Sequence, residues 1–210
     1  MKRFAKPFLV FGVLLLFIGF SAVSLSAETT PSVEVLAAAQ QGLIDFPGLN
    51  GASLQQGFQV YTVLPAALMT CSDLGAVTVP TEQWRFIVVS GGQPLGLLTV
   101  AQMEGHWQAV SMGGAGLATE MNRVMKTWPT EKGYNFRFVR LYQAMTDLVE
   151  ISHVNDSQKL GYVPMTSARA SLGIQGEFAP EVMLNDSQII TPLRDVVAKN
   201  IKMFEAQQQK

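Results

Sequence analysis

Two arginines on one predicted strand are the residues best suited to bind a ligand. Within residues 136–142, alternation places Arg140 on a face with aromatic side chains and Arg137 on the other face with Val139 and Leu141. An arginine among aromatic rings can stack on a ring and also form paired hydrogen bonds with a carboxylate. We therefore expect Arg137 or Arg140 to line a groove that holds a carboxylate or an acidic peptide.

The same arginines also fit a structural role. The next predicted strand, residues 147–153, carries Asp147 and Glu150, and either acid could face an arginine across an antiparallel pair. In that case the arginines would form ion pairs within the sheet. The sequence alone leaves both alternatives open.

A second kind of chemistry is nucleophilic catalysis. Residues 109–113, Ala-Val-Ser-Met-Gly, resemble a nucleophile elbow in which alanine replaces the first glycine. A hydrolase built on Ser111 would need Asp147 or Glu150 followed by His153, but an extended strand holds Asp147 and His153 about 20 Å apart. Cys71 is the other candidate nucleophile, with His106 or His153 as its base, although no catalytic signature surrounds it.

A glycine-rich corner lies between a predicted strand and a predicted helix. Residues 113–116, Gly-Gly-Ala-Gly, could present backbone amides to a phosphate, but they lack the spacing of a dinucleotide fingerprint or a P-loop. We expect a tight turn in which at least one of these glycines has a positive φ. Glu104, His106, His153 and Asp156 show no metal-ligand spacing, so neither a metal nor a cofactor is expected.

The predicted elements alternate irregularly between helices and strands. Helices are expected at 33–46, 117–127 and 166–172, with a last helix that opens at Thr191–Pro192, and the expected strands are 58–64, 84–89, 95–103, 106–112, 135–142, 147–153 and 159–163. Because short loops join the strands at 84–89, 95–103 and 106–112, these three strands must pair antiparallel. The pattern predicts an α+β fold in which an antiparallel β-meander packs against helices, with helices at both ends. Trp84, Trp107 and Trp128 fall in phase with the core faces.

Composition excludes several classes of protein. The 210 residues are 48% hydrophobic and 15% charged, which is too apolar for a disordered chain. With 15 basic and 16 acidic residues the chain lacks the positive charge expected of a nucleic-acid binder. A single cysteine excludes an internal disulfide framework and a multi-thiolate zinc site.

The N-terminus has the pattern of a secretory signal. Lys2, Arg3 and Lys6 precede an uncharged run at 8–25, and the small residues Ser26 and Ala27 follow. This order predicts a signal peptide at 1–27 and a single exported α+β domain at 28–210, secreted or periplasmic. The alternative is an uncleaved membrane anchor, since the 18-residue run reaches the lower limit for a spanning helix.

These observations favour an exported, non-enzymatic binding or regulatory domain for a protein, a peptide or a cell-envelope component. No catalytic or cofactor constellation is complete in the sequence, and nucleic acid is not an expected partner. The alternative is an exported hydrolase whose nucleophile is Ser111 or Cys71.

Overall fold

The computed structural model describes residues 30–208, without the side chains of residues 156–158. The predicted signal peptide and its cleavage site therefore lie outside the described residues. Within the described part, no helix is both long enough and apolar enough to cross a membrane.

A seven-stranded, mostly antiparallel sheet forms the centre of the molecule. Its strands are β1 (Ser53–Val63), β2 (Thr78–Ser90), β3 (Gln93–Met103), β4 (His106–Gly113), β5 (Tyr134–Leu141), β6 (Thr146–His153) and β7 (Asp156–Pro164). They lie in the order β4-β3-β2-β1-β5-β6-β7, and only the central pair, β1 and β5, is parallel. The antiparallel α+β architecture predicted from the sequence is confirmed.

Five helices cover the two faces of this sheet. They are α1 (Val33–Asp45), α2 (Pro65–Thr70), α3 (Ala115–Thr127), α4 (Thr166–Leu172) and α5 (Asp186–Gln208). Helix α1 packs over β3 and β4, and α5 packs over β1 and β5 on the same side of the sheet, which we call the α5 face. Helix α3 covers the opposite side, the α3 face, whose core includes Phe58, Phe138 and Met121.

Local turn chemistry explains the meander of β2, β3 and β4. Glu104 and Gly105 have φ values of 51° and 82°, as a two-residue hairpin turn requires. Gly91 and Gly92, at 56° and 76°, form the corresponding turn between β2 and β3. Each hairpin turn therefore contains at least one glycine, the residue that adopts the left-handed region at no steric cost.

The predicted start of the last helix is wrong. Helix α5 begins at Asp186, so Pro192 lies inside the helix instead of opening it. Ile189, Ile190 and Leu193 are all buried on this first part of the helix. Their burial stabilises the helical turn and outweighs the hydrogen bond that proline cannot donate. Strand β1 also begins earlier than predicted, at Ser53.

The glycine corner adopts the predicted kind of conformation. Gly114 precedes α3 with φ 67° and ψ 45°, which confirms the expected positive φ. Its conformation lets the chain leave the edge strand β4 and enter α3 without a connecting loop.

We expect Gly114→Val to lower the free energy of unfolding by about 1–2 kcal/mol, because a β-branched residue is strained in the left-handed region. Urea denaturation measures the change. Gly116→Ala is the matched control, since its φ is not positive and an added Cβ would meet no atom within 4 Å. Equal stability of Gly114→Val and the parent would show that the corner does not need its glycine.

Candidate functional site

Arg137 and Arg140 lie on opposite faces of the sheet, as strand alternation predicts. Arg137 shares the α5 face with Val139 and Leu141, whereas Arg140 shares the α3 face with Phe138. The two side chains therefore belong to different sites.

Arg137 is engaged in a buried ion pair. Its Nε and Nη2 both donate to Glu150 Oε1, at 2.9 and 2.5 Å, and its guanidinium lies 5.7 Å from the centre of the Tyr61 ring. Glu150 is 5% exposed and faces Arg137 directly in the β5–β6 register. Arg137 thus balances the negative charge of a carboxylate that would be costly to bury alone. This is the structural role, an ion pair within the sheet.

Glu150 belongs to a larger polar cluster on the α5 face. Lys159 Nζ lies 2.6 Å from both Asp73 Oδ1 and Asp186 Oδ2, and it donates to the Tyr162 hydroxyl at 3.0 Å. Burial, together with the charges of Glu150, Asp186 and Asp73, raises the pKa of Tyr162 well above its usual value. This cluster joins β6 and β7 to the segment before β2 and to the start of α5.

Two effects oppose each other at Lys159. Burial disfavours its ammonium, but hydrogen bonds to Asp186 and Asp73 outweigh that effect, so the pKa of Lys159 is raised. The hydrogen bond from Lys159 also lowers the pKa of Asp73. Lys159 and Asp73 are therefore held in their charged forms at neutral pH.

Arg140 makes a looser pair on the α3 face. Its Nη1 lies 3.4 Å from Asp147 Oδ1, and its guanidinium is 5.7 Å from the centre of the Tyr142 ring. Asp147 is 5% exposed, and its Oδ2 accepts a hydrogen bond from Ser167 Oγ at 3.0 Å. Asp147 Oδ1 is buried and has no hydrogen bond within the described part of the chain.

A second arginine approaches this pair from β2. Arg85 faces Phe58 in the β1–β2 register, and its guanidinium lies 5.4 Å from the centre of the Phe138 ring. Its Nε is buried without a hydrogen-bond acceptor among residues 30–208. Burial and the nearby Arg140 cation lower the pKa of Arg85, while Asp147 acts in the opposite direction.

We call Arg85, Arg140, Asp147 and Ser167 the arginine site. Two guanidinium groups share one carboxylate there, so the site carries an excess positive charge. The two guanidiniums lie over the Phe138 and Tyr142 rings, and a guanidinium stacked in this way can bind a planar anion such as a carboxylate through its N–H edge. Asp147 Oδ1 lies next to them, 3.4 Å from Arg140 Nη1, and accepts no hydrogen bond in the described part of the chain.

The structure separates the residues that a Ser111 hydrolase would need. Ser111 and His106 lie on the edge strand β4, whereas His153 lies on β6, five strand positions away in the sheet. At about 4.8 Å per strand this separation is about 24 Å. Asp147 and Glu150 are paired with the two arginines, as described above.

The other candidate catalytic groups have local partners. His153 Nε2 lies 3.1 Å from the Lys132 carbonyl oxygen, and its Nδ1 accepts a hydrogen bond from the Asn155 N–H at 3.2 Å. The Cys71 thiol donates to the Leu68 carbonyl at 3.4 Å and packs against the core under α5. Among residues 30–208, no group of three or more His, Cys, Asp or Glu side chains is arranged to hold a metal ion.

The tryptophans belong to the packed parts of the molecule. Trp84 is 2% exposed, and Trp107 packs against the core beneath α1. Trp128 donates from Nε1 to the Pro180 carbonyl at 2.8 Å and meets the Tyr134 ring edge-on.

Comparison of the chain with protein-family models, with curated proteins and with solved structures finds no significant match in any of the three. The geometry of the site therefore carries the functional argument.

Sequence reasoning missed Arg85 as a site residue. A signal was present, because Arg85 alternates with Ile87 and Val89 on a face that is otherwise apolar. The same signal had selected Arg140 on β5. Both Arg85 and Arg140 can thus be recognised in the sequence as charged residues that alternate in phase with a buried strand face.

Proposed function

We propose that this chain is an exported, non-enzymatic binding domain whose arginine site holds a carboxylate of a peptide or protein ligand. Export rests on the N-terminal sequence pattern. Binding rests on one observation: the Nε of Arg85 is buried without an acceptor, beside a second guanidinium. Arg137 has no part in this site, since Glu150 occupies its guanidinium.

The energetics of buried charge support this proposal. A buried cation is stable when an anion compensates it, and here Arg85 and Arg140 share Asp147, which also accepts from Ser167. A ligand carboxylate would supply the missing negative charge and the missing acceptor together. Its hydrogen bonds would be charge-assisted, and they are stronger than bonds between neutral groups.

The incompletely hydrogen-bonded carboxylate of Asp147 favours a peptide over a simple inorganic anion. Asp147 Oδ1 can accept an N–H group close to the place where the arginines would bind a carboxylate. Peptides offer both groups, since an acidic side chain is always accompanied by backbone N–H donors. An inorganic anion would bring a further negative charge close to Asp147. It would offer no N–H group to donate a hydrogen bond to Asp147 Oδ1.

We expect acetyl-Gly-Glu-Gly-amide to shift the Arg85 Nε–Hε signal in NMR spectra of arginine-labelled protein. The matched peptide acetyl-Gly-Gln-Gly-amide, which lacks the carboxylate, should bind at least about tenfold more weakly, since it offers no charge-assisted bond. The Arg137 signal should stay in place in both titrations, because that side chain is already paired.

Arg140→Ala should lower the affinity for acetyl-Gly-Glu-Gly-amide by a similar factor. Its circular dichroism spectrum should match that of the parent protein, which would show that the fold is intact. Lys202→Ala removes one positive charge from an exposed position on α5 and serves as the control, with unchanged binding expected. If the Gln peptide binds as well as the Glu peptide, or if Arg140→Ala binds normally, the arginine site does not recognise carboxylates.

The hydrolase alternative is tested separately by labelling with serine-reactive and thiol-reactive probes. Stoichiometric labelling that is lost in Ser111→Ala or Cys71→Ala would replace the binding-domain proposal with an enzyme. We expect no such labelling at Ser111, because no histidine or carboxylate among residues 30–208 forms a hydrogen bond with it.

A further inference from the structure

Charge is distributed very unevenly along the chain. Residues 30–122 contain six acidic residues and a single basic one, Arg85, whereas residues 123–208 contain nine acidic and ten basic residues. The first part forms α1, the strands β1 to β4 and half of α3. Three of the six acidic residues, Glu34, Asp45 and Glu104, lie on α1 or in the turn before β4, so the surroundings of β4 are acidic, whereas Arg85 lies two strands away in the arginine site.

Strand β4 is an edge strand that lacks the charged residues and prolines that protect many edges, although its pairing with β3 is interrupted by one bulge, at Val110. Its eight residues, His-Trp-Gln-Ala-Val-Ser-Met-Gly, include no proline, lysine or carboxylate. It pairs with β3 on one side, and no strand among residues 30–208 pairs with its other side. One row of backbone N–H and C=O groups is therefore free to pair with another extended chain.

The opposite edge of the sheet is protected. Strand β7 contains Lys159 and ends at Pro164. The backbone of Leu184 also pairs with Tyr162 through two hydrogen bonds of 2.8 Å. Only the β4 edge combines an uncharged strand with an open row of backbone groups in the described part of the chain.

A groove of about 660 Å³ runs between α1 and β4. Its lining includes Glu34 and Asp45, which lie at the two ends of α1, about 16 Å apart by the rise of the helix. An eight-residue strand spans about 26 Å, so one extended peptide on β4 can reach both carboxylates. A hydrogen bond from Ser32 Oγ lowers the pKa of Glu34, which keeps this carboxylate charged at neutral pH.

We propose that the outer edge of β4 binds an extended peptide segment carrying lysine or arginine, which adds to the sheet as an eighth strand. Backbone hydrogen bonds to β4 hold the segment, and its cations meet Glu34 and Asp45. A second copy of this chain fits less well, because pairing β4 with β4 would bring two acidic ends together. This site is separate from the arginine site and does not depend on it.

The probe is a fluorescent eight-residue peptide that alternates lysine and valine, titrated with the protein by fluorescence anisotropy. We expect binding that weakens as salt is added, and at least about tenfold weaker binding when glutamate replaces lysine. Two further peptides carry N-methyl groups on every valine or on every lysine. One of these should lose at least about tenfold in affinity, because alternate residues of an added strand donate to β4.

Matched variants locate the contact on the protein. Val110→Lys places a cation on the β4 edge at a residue that is 43% exposed, and we expect it to weaken the peptide by about tenfold. Val154→Lys adds the same charge at a residue that is 64% exposed, just after β6, and should leave the affinity unchanged. Glu34→Gln combined with Asp45→Asn should weaken binding and reduce its dependence on salt.

Three results would overturn the proposal. Both N-methylated peptides could bind as well as the parent peptide, which would show that no strand is added. Val110→Lys and Val154→Lys could bind the lysine–valine peptide with the same affinity, which would show that the peptide does not contact the β4 edge. A dimer that dissociates on Val110→Lys would assign the edge to a second copy of this chain.

Discussion

Arg137→Ala is expected to lower the free energy of unfolding by about 2–3 kcal/mol, because it leaves a buried carboxylate without its cation. Glu150 is 5% exposed and takes two hydrogen bonds from Arg137. The expected loss lies below that of a fully buried pair, since the Arg137 side chain is 31% exposed and solvent screens part of its charge. Urea denaturation at neutral pH measures the loss.

Arg140→Ala provides the comparison for this measurement. Its side chain is equally exposed, but its contact with Asp147 is longer, at 3.4 Å, and Asp147 keeps its hydrogen bond from Ser167. We expect a loss of about 1 kcal/mol or less. The two arginines should therefore separate into one whose loss destabilises the fold strongly and one whose loss destabilises it little, as the ligand-binding role proposed for Arg140 requires.

A double variant separates the lost ion pair from the lost side-chain packing. Arg137→Leu combined with Glu150→Leu removes both charges, so it should recover much of the stability that Arg137→Ala loses. If Arg137→Ala unfolds at the same urea concentration as the parent, the ion pair does not stabilise the sheet.

Local sequence patterns were sufficient to predict the hairpins, and they offered the ion pairs as one of two alternatives. Gly105 favours the two-residue turn through its own backbone preference, and Glu104 adopts the positive φ that this turn also requires. The short connection between β5 and β6 fixes their register, which sets Arg137 against Glu150 and Arg140 against Asp147. Neighbouring strands joined by short loops thus reveal their cross-strand pairs in the sequence.

Contacts between segments that are far apart in the sequence could not be predicted from local patterns. The parallel pairing of β1 with β5 joins segments that are 78 residues apart at Val60 and Phe138, and no local pattern encodes it. Arg85 and Arg140 meet only because β1 lies between β2 and β5 in the sheet. Two strand spacings are about 10 Å, which two long side chains can bridge across the aromatic rings. The arginine site therefore depends on the order of the strands in the sheet, which local sequence patterns do not reveal.

The same limit applies to α5. Pro192 is a strong local signal for a helix start, and it leads to the prediction that the last helix begins at Thr191–Pro192. The structure instead extends the helix back to Asp186, where the carboxylate of Asp186 accepts from the Leu74 N–H at 2.9 Å and meets Lys159. These partners lie 112 and 27 residues away, so tertiary contacts overrode the local preference of proline.

The polar cluster around Tyr162 makes the stability of the protein sensitive to alkaline pH. Burial and three nearby carboxylates raise the pKa of Tyr162 above its ordinary value of 10. Below pH 10 the folded and unfolded states both hold this proton, so it has no effect on stability. Above pH 10 the unfolded chain releases the proton while the folded protein retains it, which favours unfolding. Lys159 acts in the same direction, since its raised pKa stabilises the fold fully below its ordinary value of 10.5 and loses that effect as pH rises further.

We therefore expect the free energy of unfolding to fall above pH 10, with Tyr162 contributing up to about 1.4 kcal/mol per pH unit. Tyr162→Phe removes this contribution, so its stability should decline less steeply, although it should be about 1 kcal/mol less stable at pH 7 because the hydrogen bond with Lys159 is lost. Urea titrations from pH 7 to 11.5 would measure both effects. Tyr142→Phe is the control, since Tyr142 is 45% exposed and should leave the alkaline slope unchanged. Equal slopes for Tyr162→Phe and the parent would mean that Tyr162 titrates alike in the folded and unfolded states.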